Sequence, residues 1–201
     1  MNLPSNIQEK LYDDNWKKLE DLFIDNPNNL IDVFRFYYAI KNYILVNKDN
    51  VYESFVSFWK NNVSVHEDRI TILNEIYEYA VVYKDLYVNQ NVDISLTTTQ
   101  IEIMKDFRSI HSLTVTPFVI DMYYHYKKGK ISNENMFRIL KLMNTYIIRR
   151  EFANIKMNDA SRYFPQLLKY VNKETNGNYT SIYNVTLKYL VNGLKKINCN
   201  F

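Results

Sequence analysis

The stretch Ser132 to Ile155, SNENMFRILKLMNTYIIRREFANI, constrains this chain more than any other. It is the longest uninterrupted helical pattern in the sequence, with no Gly or Pro inside it. Ser132 suits an N-cap, and Glu134 puts negative charge in the first turn, where the helix dipole favours it. Met136, Leu140, Met143, Ile147 and Arg150 recur at the three-four spacing of one helix face. That stripe is apolar until it reaches Arg150. Two readings of a charge there stay open. In the structural one, a neighbouring helix supplies a carboxylate and backbone carbonyls to the guanidinium while the stem packs on apolar groups. In the functional one, the arginine is presented to a phosphate or to a partner domain. For the structural reading, Asp121 is the expected partner. It sits among Phe118, Met122 and His125, on a face expected to meet the Ser132 helix.

Composition supports an all-helical reading. The chain has 201 residues but only 3 glycines and 4 prolines, too few for the many turns of an all-β fold. At this length a globular chain buries roughly 70% of its unfolded surface, so it needs no disulfide or metal staple. The formal charge of +3 is too small to imply a polyanionic partner by itself. The 18 tyrosines read as compositional bias rather than a base-stacking surface, which would come with a basic groove. Cys199 is the only cysteine, which points to a reduced, cytoplasmic setting. No run approaches the ~18 apolar residues of a membrane span, and no membrane partner is expected.

Punctuation along the chain sets the expected helices. Ser5 with Gln8 reads as a capping box opening the first helix, and Asp25 to Asn29 as a turn. A second helix is expected from about Leu30 to Val46, apolar nearly all round. Asn50 with Glu53 is expected to cap a third, with Val51, Phe55, Phe58 and Trp59 inward. Ser64 with Glu67 is expected to cap a fourth, over about 65–88. The polar stretch 89–98 is the best boundary between two sub-bundles. Thr99 with Glu102 reads as the start of a fifth helix. Thr116-Pro117 reads as N-cap and first helical residue of a sixth, which ends at Gly129 in a left-handed C-cap. After the Ser132 helix, Asn158 is expected to cap a shorter one in which Pro165 forces a break or a fresh start. Asn176-Gly-Asn178 is a turn, and a last helix spans about 181–196. The fold class is therefore all-α: an irregular bundle of about eight or nine helices forming one domain, 1–201, from sub-bundles of about 1–90 and 97–201.

The search for chemistry returns little. Asp121 and His125 lie four apart on one helix, but two ligands do not complete a metal site, and a helical Asp–His contact accounts for them. No phosphate loop, dinucleotide fingerprint or nucleophile elbow is present. No catalytic, cofactor-binding or metal residue is assigned, and no cofactor is expected. Arg138, Lys141, Arg149 and Lys156 are candidate contacts to phosphate or a partner.

An ordered set of short signatures runs through the chain: Leu11-Tyr12, Trp16-Lys17 and Leu19-Glu20, then Val51-Tyr52-Glu53 with Phe55. Tyr79-Ala80 with Tyr83 and Leu86 follow, then Gly129-Lys130-Ile131-Ser132 after Pro117, Tyr146-Ile-Ile-Arg149-Arg150, and Asn158 with Phe164. This set resembles the helical middle region of GmrSD-type restriction endonucleases. The resemblance implies a helical part between an N-terminal ParB-like part linked to nucleotide hydrolysis and a C-terminal His-Asn-His nuclease part. The whole would act on modified, typically phage, DNA. This sequence carries neither the Asp-Gly-Gln-Gln-Arg motif nor a histidine after His125. The chain is therefore expected to be a segment of a longer protein: a non-catalytic scaffold that couples the flanking ParB-like and nuclease domains, with DNA-backbone contact as an addition. The alternative is a stand-alone helical module that binds nucleic acid or protein.

Overall fold

The computed structural model describes residues 4–88, 96–110, 112–153 and 160–195. Among them the only regular secondary structure is helical. α1 (Ser5–Leu11) passes through a π-helical turn, Tyr12–Trp16, into α2 (Lys17–Leu22). Then come α3 (Asn28–Asn42), α4 (Val51–Asn62), α5 (His66–Tyr83), α6 (Thr98–Ile110) and α7 (Thr116–Lys127). α8 (Asn133–Phe152), α9 (Ala160–Thr175) and α10 (Ile182–Lys195) complete the set. With α1 and α2 counted as one rod, nine helices form an all-α bundle.

α8 is the longest helix, at 20 residues, and begins where the sequence places it. Ser132 Oγ accepts from Asn135 N at 3.2 Å, satisfying one of the free N–H groups of the first turn. Met136, Leu140, Met143, Ile147 and Arg150 are all buried on its inward stripe. α7 ends at Lys127, and Gly129 just beyond it has a φ of 71°, in the left-handed region that favours glycine. Lys130 N then donates back to His125 O at 2.9 Å.

Elsewhere the caps shift. Ser5 is the first residue of α1, and no side chain caps that helix, so the Ser5–Gln8 box does not form. Asn50 likewise makes no side-chain cap to α4. Asp68, not Glu67, caps α5: its Oδ2 accepts from Ser64 N at 2.7 Å and Val65 N at 2.9 Å. The box opening α6 uses Thr97 and Gln100, two residues before the expected pair: Gln100 Oε1 accepts from Thr97 N and Thr97 Oγ1 from Gln100 N. Val115 rather than Thr116 is the N-cap of α7. α3 stops at Asn42, short of Val46, because Tyr43 turns left-handed at φ 58°. Arg35 Nε reaches across that turn to donate to Val46 O at 2.7 Å. α9 continues through Pro165 with no break. Asn158 lies outside the described residues.

One continuous core runs from Leu19 to Leu190 across the expected division. α3 and α5 both pack on α7, and α7 packs on α8 and α9. α7 is thus the shared central element, buried over Thr116–Tyr123. The described part of 89–98 starts at Leu96, so the expected boundary there lies mostly outside the described residues.

Candidate functional site

Among the described residues, a cleft of about 790 Å³ lies between the α1–π-turn segment and α4. Phe34 of α3 and Leu73 of α5 lie beneath it, Leu11, Tyr12 and Trp16 form one wall, and Phe55, Val56 and Trp59 form the other. The aromatic groups interlock: Trp16 stacks on Phe34 at 5.6 Å, Phe34 meets Phe55 edge-on at 4.8 Å, and Phe55 lies 6.1 Å from Trp59. Its lining is almost wholly apolar, and 790 Å³ is within the size range of ligand pockets.

The polar atoms of its aromatic wall are tied elsewhere. Tyr12 Oη donates to Glu20 Oε2 and Trp16 Nε1 to Glu20 Oε1, both at 2.8 Å. The bond to Glu20 also holds the Tyr12 phenol above its ordinary pKa. Glu20 therefore fixes both rings, leaving no indole N–H or phenol of this wall to find a partner in the cleft. Tyr52, 78% exposed, stands at the rim with Ile31, Lys48 and Lys60. α1 buries no residue, and its main neighbour is the π-turn that follows it. The wall it provides is thus only half covered.

Sequence reading places Val51, Phe55, Phe58 and Trp59 of α4 inward but does not find this cleft. Val51 and Phe58 do enter the core. Tyr52, Val56 and Trp59 form a second apolar stripe at four-three spacing, beside the first. That excess of apolar width on one short helix is the signal that was available.

The second site is buried and polar. On α7, Asp121 is 2% exposed. Its Oδ1 accepts from Tyr79 Oη of α5 at 2.6 Å and lies 3.8 Å from His125 Nε2, one turn on. The ring of Tyr79 stacks on Tyr124 at 4.4 Å, and that of His125 lies tilted over Tyr179 at 4.5 Å. Beside it, Tyr37 and Lys41 of α3 both donate to Glu75 of α5, at 2.8 and 2.5 Å. Tyr124 and Lys128 donate to Glu78. Burial pushes the Asp121 carboxyl up to about 6 and the His125 imidazole down to about 4.

This arrangement corrects one expectation. Arg150 is buried, but Asp121 is not its partner: Asp121 is engaged by Tyr79 and His125, and the ion pairs of the described residues do not join it to Arg150. The guanidinium instead folds back one turn along α8, where Nη1 donates to Tyr146 Oη at 3.1 Å. The physical reason is local. A phenol at i−4 is reached without crossing to α7, and Asp121 already faces α5.

Arg138, Lys141 and Arg149 are exposed on the outer face of α8. Arg138 is occupied within the chain: its guanidinium carbon sits 3.8 Å from the Tyr183 ring centre, and Nη1 lies 3.5 Å from Glu134. Lys156 lies outside the described residues. Among the described residues no three histidine, cysteine, aspartate or glutamate side chains group as a metal site requires, and no helix is long and apolar enough to cross a membrane.

Comparison with family models, with curated proteins and with solved structures gives no match for this chain. The likeness to GmrSD-type proteins therefore rests on the quoted residues alone. Several of those residues, Leu11, Tyr12, Trp16, Val51, Tyr52 and Phe55, line the cleft.

Proposed function

We propose that this chain is a non-catalytic helical scaffold that docks an apolar segment of a partner protein in the cleft between the α1–π-turn segment and α4. The observation that carries the reading is the cleft's chemistry. Its walls are aromatic and aliphatic, and Glu20 ties back the polar ends of Tyr12 and Trp16. Such a surface gains from burying apolar groups, and the charged residues along its lining, Lys48, Asp49 and Lys60, suit a polar rim around an apolar contact. In the GmrSD-type setting, the partner is one of the flanking ParB-like or His-Asn-His nuclease domains, the chain couples the two, and it works in the cytoplasm. Contact with the DNA backbone has less support, because Arg138, one of the candidate basic residues, is engaged by Glu134 and Tyr183.

The two tryptophans of the chain, Trp16 and Trp59, both line the cleft, so all its indole fluorescence reports on this one place. The test is to titrate the chain with anilinonaphthalene sulfonate, and then with separately expressed ParB-like and nuclease domains of a GmrSD-type system, while following that emission. Saturable binding is expected, and it is expected to disappear in the double variant Tyr52→Glu, Val56→Glu with the helical circular dichroism unchanged. Dye and domain binding that persist in that variant would rule the cleft out. Dye binding without domain binding would remove the GmrSD setting and keep the docking surface. DNA affinity that falls steeply with salt and is lost on Lys141→Ala would favour the nucleic-acid alternative.

A further inference from the structure

We infer that folding transfers one proton from His125 to Asp121, so that this buried pair is neutral in the folded chain and contributes evenly to stability across mildly acid pH. The inference is independent of the cleft.

The geometry argues against an ion pair. The two side chains lie one turn apart on α7, but Oδ1 and Nε2 are 3.8 Å apart, too far for a hydrogen bond. An ionised Asp121 would keep Oδ2 buried, where it has no hydrogen-bond partner in the protein. A protonated His125 would carry a second N–H at Nδ1, which is buried and also without a partner. Charge on either residue would therefore be buried on an atom with no partner, whereas in the neutral acid and neutral imidazole the same atoms are unpaired but uncharged, which costs much less.

The neighbouring charges divide, and burial, the largest effect at both groups, sets the direction. α5 presents Tyr79 and Glu75, and the Glu75 carboxylate opposes a second negative charge at Asp121. α3 presents Lys41, and the loop after α7 presents Lys130; both oppose an imidazolium at His125. Lys41 and Lys130 also favour the Asp121 carboxylate, as does the Tyr79 hydrogen bond, and Glu75 favours the His125 imidazolium, but burial outweighs them. On α7 itself Tyr124 is turned to Glu78, and the 179–181 turn contributes the ring of Tyr179. The charged side chains of α8 and α9 are exposed, except Arg150, which is held at Tyr146.

The proton balance follows. In the unfolded chain near pH 5 the carboxyl is ionised and the imidazole protonated, so the pair carries one proton. In the folded chain the N–H bond of the imidazolium has been lost and an O–H bond of the carboxyl gained, and the pair still carries one. Equal proton numbers in the two states mean no slope of stability with pH from this pair. Taken singly, the slopes oppose. The raised Asp121 contributes stability that is full below its unfolded value near 3.8 and is lost as pH rises through about 6. The depressed His125 contributes stability that is full above its unfolded value near 6.5 and is lost as pH falls through about 4.

The experiment is to measure unfolding by urea from pH 4 to 6.5 for wild type, Asp121→Asn, His125→Gln and the double variant. Carbon-13 and nitrogen-15 shifts of Asp121 and His125 in the folded wild type are read at pH 5. Relative to wild type, Asp121→Asn is expected to lose roughly a hundredfold in folding equilibrium constant as pH falls across this range, at tenfold per unit over about two units. His125→Gln is expected to lose roughly as much as pH rises across it, and the double variant to run parallel to wild type. The shifts are expected to show a protonated carboxyl and a neutral imidazole. Single variants that run parallel to wild type, or an imidazolium beside a carboxylate in the folded protein at pH 5, would overturn the inference. The wild-type spectrum decides the matter even where a variant fails to fold.

Discussion

Asp121 and Arg150 lie on packed neighbouring helices, are an acid and a base and are each 2% exposed, yet each is bound by a tyrosine instead of by the other. Asp121 accepts a phenol proton from across the bundle, on α5. Arg150 donates to a phenol on its own helix, one turn back. The phenol serves both because it is donor and acceptor at once. The difference lies in what each charged group can do next. A carboxyl relieved of solvent can take up a proton and become neutral, and Asp121 sits where burial drives that change. A guanidinium stays charged. Arg150 therefore has to be solvated by the protein, and Tyr146, which accepts from it, belongs to a cluster of tyrosines. Tyr146 lies parallel to Tyr163 at 5.7 Å, and Tyr163 lies 5.1 Å from Tyr189.

This contrast can be broken at several points. Arg150→Ala removes a stem packed in the core and the partner of the Tyr146 hydroxyl, and is expected to cost about 3 kcal/mol in urea unfolding. Arg150→Lys is expected to recover only part of it, because a lysine lacks the planar fork. Gly193→Ala attacks the same assembly from α10: an added Cβ would sit 2.1 Å from the Tyr163 hydroxyl oxygen. Tyr163 would have to shift, losing its bond to Tyr189 O and its stack on Tyr146, with an expected cost of about 2 kcal/mol. The nitrogen-15 shift of His125 is expected to stay put in this variant, which would show that the two sites are separate. Tyr79→Phe removes the donor to Asp121 and is expected to cost about 1 kcal/mol near neutral pH. That donor lowers the Asp121 pKa, so its loss is expected to raise it, measured by the carboxyl shift. Arg138→Ala, the same residue type on the same helix but exposed, is expected to change stability by less than about 0.5 kcal/mol. A cost there near that of Arg150 would mean that burial is not what separates the two arginines.

The sequence carried most of the fold because its strongest signals are local. Ser132 as N-cap, Gly129 as left-handed C-cap and the stripe from Met136 to Arg150 each concern neighbours along one helix, and each appears as read. The burial of Arg150 was legible for the same reason. Its partner was not, because a partner depends on which face of α7 meets which helix. Periodicity defines a face and leaves its neighbour open. The shifted caps at Asp68 and at Thr97–Gln100 show a smaller version of this. Asp, Glu, Gln, Ser and Thr stand close together at these helix starts, and capping chemistry alone does not choose among adjacent frames. The cleft was harder still. Its wall residues are spread over four helices, and Tyr52, Val56 and Trp59 look like core until the helix that would cover them proves to be elsewhere.

The π-helical turn at Tyr12–Trp16 sets the phase between the two ends of the N-terminal rod. One turn of this kind takes up one more residue than a regular α-turn, about 100° of rotation. Leu19 beyond the turn points into the core, whereas Leu11 before it lines the cleft. The turn thus acts as a phase shifter, giving one rod two separate bearings. Shortening it by a single residue would leave Leu19 where it is and rotate Leu11 out of the cleft wall, so the recess depends on that one additional residue as much as on the aromatic groups that line it.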